Sequence, residues 1–465
     1  MLEEKSLFTN FTITASTLVG YQLTLCMPFM ICAIFIGRLG DSVSLSSYGL
    51  ATTIINIGFS SFLMGIQESL GVVCSRLYGA KHYNEMWRYL WKSLIFVFII
   101  TILFHLFSIY VARILIAIRI EEEVSLSCGR LLRLVSISLY FQGANQMINN
   151  FLSAQHIAKP LFYLNIISIG IVYVFGSVFI NHLGYAELGY GYIKICQEAF
   201  NFVYYIVVLI KHTDMSSFEA PSMHTIKKHL WDFLLLNIYT VMAFYGEFLA
   251  FEINTYYAAL LHDVDALAAW VSYINFTGIH YFVAVGFGAS IRNLVGKRIG
   301  ELKVKQARDE SISYLKYIGV FSVVVMIFQF IYSDAIAEIF TSKQIVTRLL
   351  TENIDMFTIC VYFTLIIPGI NTLYRVVGKD RFMFWANVVA YPLGNAILNY
   401  ILGFYFNYGL RGINISFICC TMAMSTTLVL YLYFNIEWRY VKHMDDVIDS
   451  VQEDLLERSI DLIYI

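Results

Sequence analysis

Apolar residues in this chain neither alternate nor mark one narrow helix face; they run on without interruption. Continuous apolar stretches cover residues 17–37, 48–72, 92–116, 130–152, 161–182, 189–211, 231–261, 266–291, 314–340, 355–377, 382–405 and 412–436. A helix rises 1.5 Å per residue, so a hydrocarbon core about 30 Å thick takes roughly 20 apolar residues to cross. The stretches meet that need and predict twelve transmembrane helices. A β-barrel, the other structure that satisfies its own backbone in lipid, would show short alternating strands instead. The expected class is an all-α polytopic membrane protein.

The polar connectors divide these spans into two sets of six. The longest runs from Lys211 to Lys228, with Asp214, Ser216, Ser217, Glu219 and Pro221, and it falls at the midpoint. This predicts an N-terminal six-helix bundle over 1–214, a cytosolic linker over 215–230, a C-terminal six-helix bundle over 231–436 and a tail over 437–465. In the tail, Asp445, Asp446, Asp449, Glu453, Asp454, Glu457 and Asp461 alternate with Val447, Val451, Leu455 and Leu456. That pattern reads as an acidic amphipathic cytosolic helix, too charged to span.

Two marks repeat between the halves. Gly79-Ala80-Lys81 after the second span parallels Gly300-Glu301-Leu302 after the eighth, and Asn150-Phe151-Leu152 parallels Asn371-Thr372-Leu373; both offsets are 221 (300 − 79 and 371 − 150). Six spans is an even number, so the second half enters the membrane in the same sense as the first. The halves should therefore be parallel repeats about an axis along the membrane normal, enclosing a central cavity.

Connectors after the even-numbered spans hold 18 lysines and arginines, and those after the odd-numbered spans hold 8. Positive charge stays on the cytosolic side, so both termini are expected there. Trp87 and Trp91, beside Arg88 and Lys92, suit the interface. The opening MLEEKSLFTN is polar and acidic, which favours an uncleaved first span over a signal peptide.

Composition serves mainly to exclude. Hydrophobic residues are 58% and charged residues 14%, against about 25% charged in a soluble domain. A net charge of −2 gives no basic footprint for nucleic acid. The eight cysteines stand singly apart from Cys419 and Cys420, with no metal spacing. No G-x-x-x-x-G-K-[ST] loop is present to bind ATP.

An ionisable group in mid-membrane costs about 2.5 kcal/mol or more, so its presence asks for a reason. Glu247 and Glu252 lie well inside the seventh span. Five residues turn a helix by about 140°, so at most one of them points squarely into a cavity while the other meets a neighbouring helix. Such a carboxylate can take up a coupling cation on one side of the membrane and release it on the other. His280 and Glu68 are further candidates, as relays; histidine titrates near 6.5 when unperturbed. Lys194 and Glu198 stand at i,i+4 and predict a structural ion pair.

The chain holds 33 Tyr and 37 Phe, and Tyr239, Phe244, Tyr245, Phe251, Tyr256, Tyr257, Tyr273 and Tyr281 crowd the seventh and eighth spans. Tyr245, Tyr273 and Tyr281, with Asn150, Gln155 and Asn371, are the candidate lining of a substrate cavity, where a cation over a ring face gains about 0.5–2 kcal/mol. Pro28 and Pro368 each remove a backbone donor, and mark hinges or static bends.

Several motifs together resemble the multidrug and toxic compound extrusion (MATE) family, in its eukaryotic type. Gly37-Arg38-Leu39-Gly40-Asp41, then Leu50-Ala51-Thr52, Gly65, Cys74 and Tyr78-Gly79-Ala80-Lys81, resemble the family's G-x-L-G turn and C-x-Q-x-Y-G-A close of span 2. Phe151-Leu152-Ser153-Ala154-Gln155 with Pro160 looks like F-L-Q-A-Q…P. Glu247-Phe248-Leu249-Ala250-Phe251-Glu252 resembles E-W-W-x-[FY]-E. Arg375, Gly378 and Asn387-Val388-Val389-Ala390-Tyr391-Pro392 look like R-G-x-G followed by N-x-V-A-Y-Y. The resemblance runs over about residues 15–436. Departures fall at Gly71, Ser75-Arg76, Asn150, Ser153, Lys297 and Thr364; the last replaces an acid that takes part in coupling in eukaryotic members.

The resemblance implies two six-helix bundles forming a V. It also implies export of organic cations or other amphiphiles by antiport with H⁺ or Na⁺, with no other cofactor. The partners it implies are a small-molecule substrate and the lipid bilayer, for a monomer in the plasma membrane or in a vacuolar or other endomembrane. Two alternatives stand beside it: a lipid or lipid-linked glycan flippase of the same superfamily, and a degenerate member that does not transport. A flippase would line its cavity with basic residues, and a degenerate member would have lost its mid-membrane acids. Here Glu247 and Glu252 remain.

Overall fold

The computed structural model describes residues 2–38, 42–117, 120–157, 159–213, 218, 223–261, 263–340 and 344–434. Among these residues every regular element is helical. The first half contains α1 (Leu2–Arg38), α2 (Ser42–Ile55), α3 (Ser61–Ala80), α4 (Tyr83–Ala117), α5 (Glu122–Ala154), α6 (Lys159–Gly176) and α7 (Ala186–His212). The second contains α8 (Met223–Leu260), α9 (Val264–Gly300), α10 (Val304–Ile331), α11 (Ser333–Phe340), α12 (Gln344–Glu352), α13 (Ile354–Val377), α14 (Asp380–Val388), α15 (Asn395–Leu398) and α16 (Gly409–Phe434).

Among the described residues, ten stretches are long and apolar enough to cross a membrane. The helices α8 and α9, at 38 and 37 residues, bring the crossings to the twelve expected. Wider π-turns splice several of them. Asn56–Ser60 joins α2 to α3, Ser177–His182 extends α6, and Val389–Gly394 and Asn399–Tyr405 flank α15. One of these turns has a direct cause: Pro392 lies inside Val389–Gly394 and has no N–H to continue the α ladder. Pro28 and Pro368, by contrast, sit inside α1 and α13 without ending either helix.

Two boundaries differ from the sequence reading. Helix α8 begins at Met223, so the backbone of 223–230, expected in the linker, is helical. Helix α10 ends at Ile331, so Ser333–Phe340, expected inside the ninth span, forms the separate short α11, and α12 occupies the connector where the apolar pattern predicts a loop. Residues 214–217 and 219–222 of the linker, Leu39–Asp41 of the first turn and the whole acidic tail lie outside the described residues.

Each half has its own apolar core. Phe59, Leu63, Phe104 and Leu131 belong to the first, and Trp270, Tyr314, Ile367 and Phe417 to the second. Large side chains such as Phe98, Leu103, Tyr173 and Val203 remain exposed on the outer surface, as lipid-facing positions should. Lipid is as apolar as leucine, so helix association there rests on close packing and polar contacts rather than on hydrophobic burial.

The two bundles meet through α1 and α3 on one side and α8 and α9 on the other. Phe11 of α1 stacks on Tyr314 of α10 at 4.8 Å. The backbones of α3 and α9 approach most closely near their last turns. A Cβ added to Gly79 would stand 2.1 Å from the Lys297 carbonyl oxygen, and one on Gly300 would stand 1.9 Å from that of Arg76. Arg76 donates across the interface to the Val376 carbonyl. The molecule is therefore closed at the end marked by Gly79 and Gly300.

Any side chain at position 300 must push α3 and α9 apart. In a protein whose other seven cysteines are serine, Gly300→Val should raise the alkylation rate of the buried Cys74 by roughly tenfold or more, since about 1.4 kcal/mol lost from the closed state is a factor of ten. An unchanged rate would mean that this crossing does not hold the end shut.

Candidate functional site

Helix α8 carries Glu247 into the second bundle, where it is 5% exposed. Both carboxylate oxygens have donors. The Tyr281 hydroxyl, from α9, donates to Oε2 at 2.9 Å, and the Asn371 amide, from α13, donates to Oε1 at 2.8 Å. A cavity of about 10 Å³ adjoins the group, lined by Phe251, Tyr281, Thr364, Pro368, Tyr391 and Phe417 among others. Room for about one water molecule is what that volume allows. Pro368 has no N–H to give to the Thr364 carbonyl, so the helix leaves that acceptor without its usual partner beside the cavity. Aromatic faces and a carboxylate together favour a cation or a proton.

One turn further along α13 lies a second polar layer. Arg292 of α9 donates to Glu68 Oε1 of α3 at 2.7 Å and to Asn150 Oδ1 of α5 at 2.6 Å. Arg375 places its guanidinium 4.3 Å over the Phe244 ring, with Nη1 4.0 Å from Glu68 Oε2. Glu68 is thus no free relay; it is the anion of an ion pair between the bundles, and Asn150 serves that pair rather than a substrate cavity. Arg375 also lies within electrostatic range of Glu247, a basic neighbour that reading along the seventh span alone does not reveal.

The other predicted residues separate. Glu252 is half-buried, does not line the Glu247 cavity and has no hydrogen-bond partner among the described residues. His280 turns toward α10: one ring nitrogen is 2.9 Å from the Phe276 carbonyl and the other 2.7 Å from the Gln329 amide. It therefore contacts no carboxylate along which to relay a proton. Tyr245 meets Phe62 of α3 at 5.5 Å, across the cleft between bundles. Tyr273 stacks on Phe357 at 3.8 Å inside the second core, so it packs helices rather than lining the Glu247 cavity. Gln155 caps the end of α5, where its amide contacts the Phe151 carbonyl at 3.4 Å.

The first bundle contains its own buried carboxylate. Lys194 Nζ stands 2.9 Å from Glu198 Oε1, and Asn145 donates to Oε2 at 2.8 Å. This carboxylate already carries its counter-charge one helical turn away. Glu187, which the sequence reading passed over, opens the first turn of α7 and accepts from Ser44 at 2.7 Å and from Ser127. A helix N-terminus stabilises such an anion. Among the described residues, Glu247 alone combines mid-helix burial with hydrogen bonds from neutral donors only.

Two repeated helical bundles, each with a buried polar centre, joined at one closed end, describe a membrane transporter. The chain belongs to the MatE family: its model matches twice, over residues 18–179 and 240–401. The second match begins 222 positions after the first (240 − 18), beside the 221-residue offset of the Gly and Asn marks. Membership makes it a MATE transporter and not an enzyme. Protein DETOXIFICATION 35 of Arabidopsis thaliana is 21% identical over 430 residues, covering 90% of this chain and 85% of that protein. Protein DETOXIFICATION 36 of the same plant is 23% identical over 426 residues, covering 88% and 81%. The crystal structure of the eukaryotic MATE transporter AtDTX14 superposes with a TM-score of 0.87 at 18% identity, over 95% of this chain and 98% of that one. A MOP-superfamily transporter from Pyrococcus furiosus, reported with reversed binding-pocket polarity, gives 0.81 at 15% identity, over 93% and 96%.

Breaking the Lys194–Glu198 pair from one side should be costly, because a lone buried charge remains. Glu198→Gln should destabilise the protein by about 3–5 kcal/mol, while Lys194→Met with Glu198→Leu should recover most of that loss. Thermal unfolding of the detergent-solubilised variants measures both; equal destabilisation by the single and double changes would contradict a self-neutralised pair.

Proposed function

We propose that this transporter exports organic cations or other amphiphilic small molecules from the cytosol, in exchange for protons bound at Glu247. One observation carries the reading. Glu247 is buried, bonded to the neutral Tyr281 and Asn371, and open to a small aromatic cavity. A proton and an organic cation can each neutralise that carboxylate, and both cannot do so at once. Access that alternates between the two sides then converts competition into exchange.

Thr364 narrows the scheme. It occupies the position of the family's third acid and borders the same cavity, with its hydroxyl committed to the Cys360 carbonyl at 2.9 Å. Coupling therefore rests on Glu247 without a second carboxylate at its side. Lys and Arg concentrate in the connectors at the Gly79 and Gly300 end, so that end faces the cytosol and the closed state described above faces outward. Arg76, Arg292 and Arg375, counted among those cations, are buried; the bias holds without them, 15 (18 − 3) against 8.

In proteoliposomes, an imposed pH gradient should drive uptake of tetraphenylphosphonium by the parent protein. Glu247→Gln should reduce that flux by more than roughly 100-fold, about 2.7 kcal/mol at the transport barrier, while leaving insertion and unfolding temperature nearly unchanged. Transport by the variant with the parent's rate and pH dependence, or transport by the parent driven only by a sodium gradient, would overturn proton coupling at Glu247.

A further inference from the structure

Along α9 the polar chemistry continues past the Glu247 layer. Tyr281 holds Glu247, Arg292 holds Glu68, and one turn beyond Arg292 the helix borders a different cavity of about 390 Å³ at the closed end. Sixteen residues from Tyr281 to Lys297 span about 24 Å of helix, so this cavity is well separated from Glu247. It lies between the bundles. Tyr78, His156 and Leu161 come from the first half, and Asn293, Leu294 and Lys297 from the second.

Several polar groups that line it carry nitrogen donors, beside the Glu310 carboxylate and the hydroxyls of Thr14, Thr17 and Ser153. Asn293 is fully buried, and its amide nitrogen has no hydrogen-bond partner. The same is true of His156 Nε2. Burial, and then the charges of Lys297 and Arg298, hold the His156 imidazole down at about 4. At neutral pH that ring is uncharged and has one N–H to give. Lys297 Nζ lies 5.6 Å over the Tyr78 ring and pairs with no carboxylate among the described residues. The two acids nearby are already engaged. Glu310 takes Arg298 at 3.0 Å, Gln306 at 2.9 Å and Tyr314 at 3.2 Å, and Glu301 takes Arg298 at 3.2 Å and Lys303 at 2.9 Å. What remains is one ammonium without a carboxylate, one orphan amide N–H and one unpartnered imidazole nitrogen, which donates in the tautomer protonated at Nε2. That is a surplus an anionic oxygen cluster would satisfy. Leucines 18, 161 and 294 supply an apolar wall beside it.

We propose that this pocket binds a phosphate- or carboxylate-bearing amphiphile and that the bound anion latches the two bundles together at the closed end. The volume lies in the range of small-molecule sites. The ligand would bridge His156 of the first half to Asn293 and Lys297 of the second. It would therefore favour the closed state over any state in which α3 and α9 separate. The site lies beyond the Glu68–Arg292 pair from Glu247, so its occupant acts as an effector and not as cargo, and the proposal does not depend on proton coupling.

The test uses the full-length protein in a neutral maltoside detergent, with thermal unfolding and Cys74 alkylation as readouts. The probes are dihexanoyl phosphatidic acid, dihexanoyl phosphatidylcholine and inorganic phosphate. Phosphatidic acid should raise the unfolding midpoint saturably and slow Cys74 alkylation, and phosphatidylcholine should do neither. Lys297→Met, which keeps the apolar stem, should weaken the effect at least tenfold, while the exposed Lys305→Met should leave it unchanged. If inorganic phosphate acts at similar concentrations, the source is a free anion; if only the lipid acts, it is a membrane headgroup; either result upholds the anion chemistry. No shift with any probe, an equal shift with phosphatidylcholine, or a Lys297→Met response equal to the parent's would overturn the proposal.

Discussion

A single ion pair drawn from opposite bundles, Arg292 to Glu68 at 2.7 Å, is the constraint around which the closed end is organised. Both side chains are almost wholly buried. A charge in that environment is tolerable only with a partner, and removing one member of a buried pair costs about 3–5 kcal/mol. Separating α3 from α9 would strand both ions in the cleft. The sequence around the pair accommodates it. A Cβ at Gly71 would stand 2.3 Å from the Arg292 guanidinium carbon, so only glycine leaves room for the arginine. Asn150 accepts the remaining nitrogen. Three departures from the family pattern, at Gly71, Arg76 and Asn150, thus fall on one interface.

The same electrostatic rule distinguishes the two bundles. The first neutralises its carboxylate internally, with Lys194 on Glu198. The second presents Glu247 to neutral hydroxyl and amide donors and to a cavity. A group already holding its counter-ion has no charge to offer an incoming cation. Glu247 is bonded only to neutral donors, and its basic neighbour Arg375 sits nearer to Glu68, so it holds no ion pair of its own among the described residues. Under the exchange proposed above, the asymmetry would give the first bundle a structural part and the second the exchange site, although one family model matches both, over 18–179 and 240–401.

Long-range periodic features were legible in the sequence. Apolar runs of spanning length yielded the crossings, and two short marks at one offset yielded the repeat, because both follow from residue type and spacing alone. The i,i+4 spacing placed Lys194 by Glu198 for the same reason. What the linear pattern could not show was which residues from distant spans meet. Arg292 sits directly after an apolar run and read as a loop cation, yet Ile291 before it and Leu294-Val295 after it keep the helix going, and it ends up buried. Tyr273 and Tyr281 lie two turns apart on α9, and only the second reaches Glu247. His280 follows the same helix but faces α10. The π-turns leave no mark in the apolar pattern, and the one around Pro392 becomes apparent only in the structure.

Exchange at one carboxylate makes a demand on binding itself, before any transport occurs. If substrate cation and proton share Glu247, binding of tetraphenylphosphonium to the detergent-solubilised parent must displace a proton. Calorimetric titrations in buffers of different ionisation enthalpy count it directly. From about pH 5 to 8, the account predicts a release that peaks toward about one proton per cation bound, with affinity rising as pH rises. Binding with no proton release anywhere in that range, and with affinity independent of pH, would contradict the shared site.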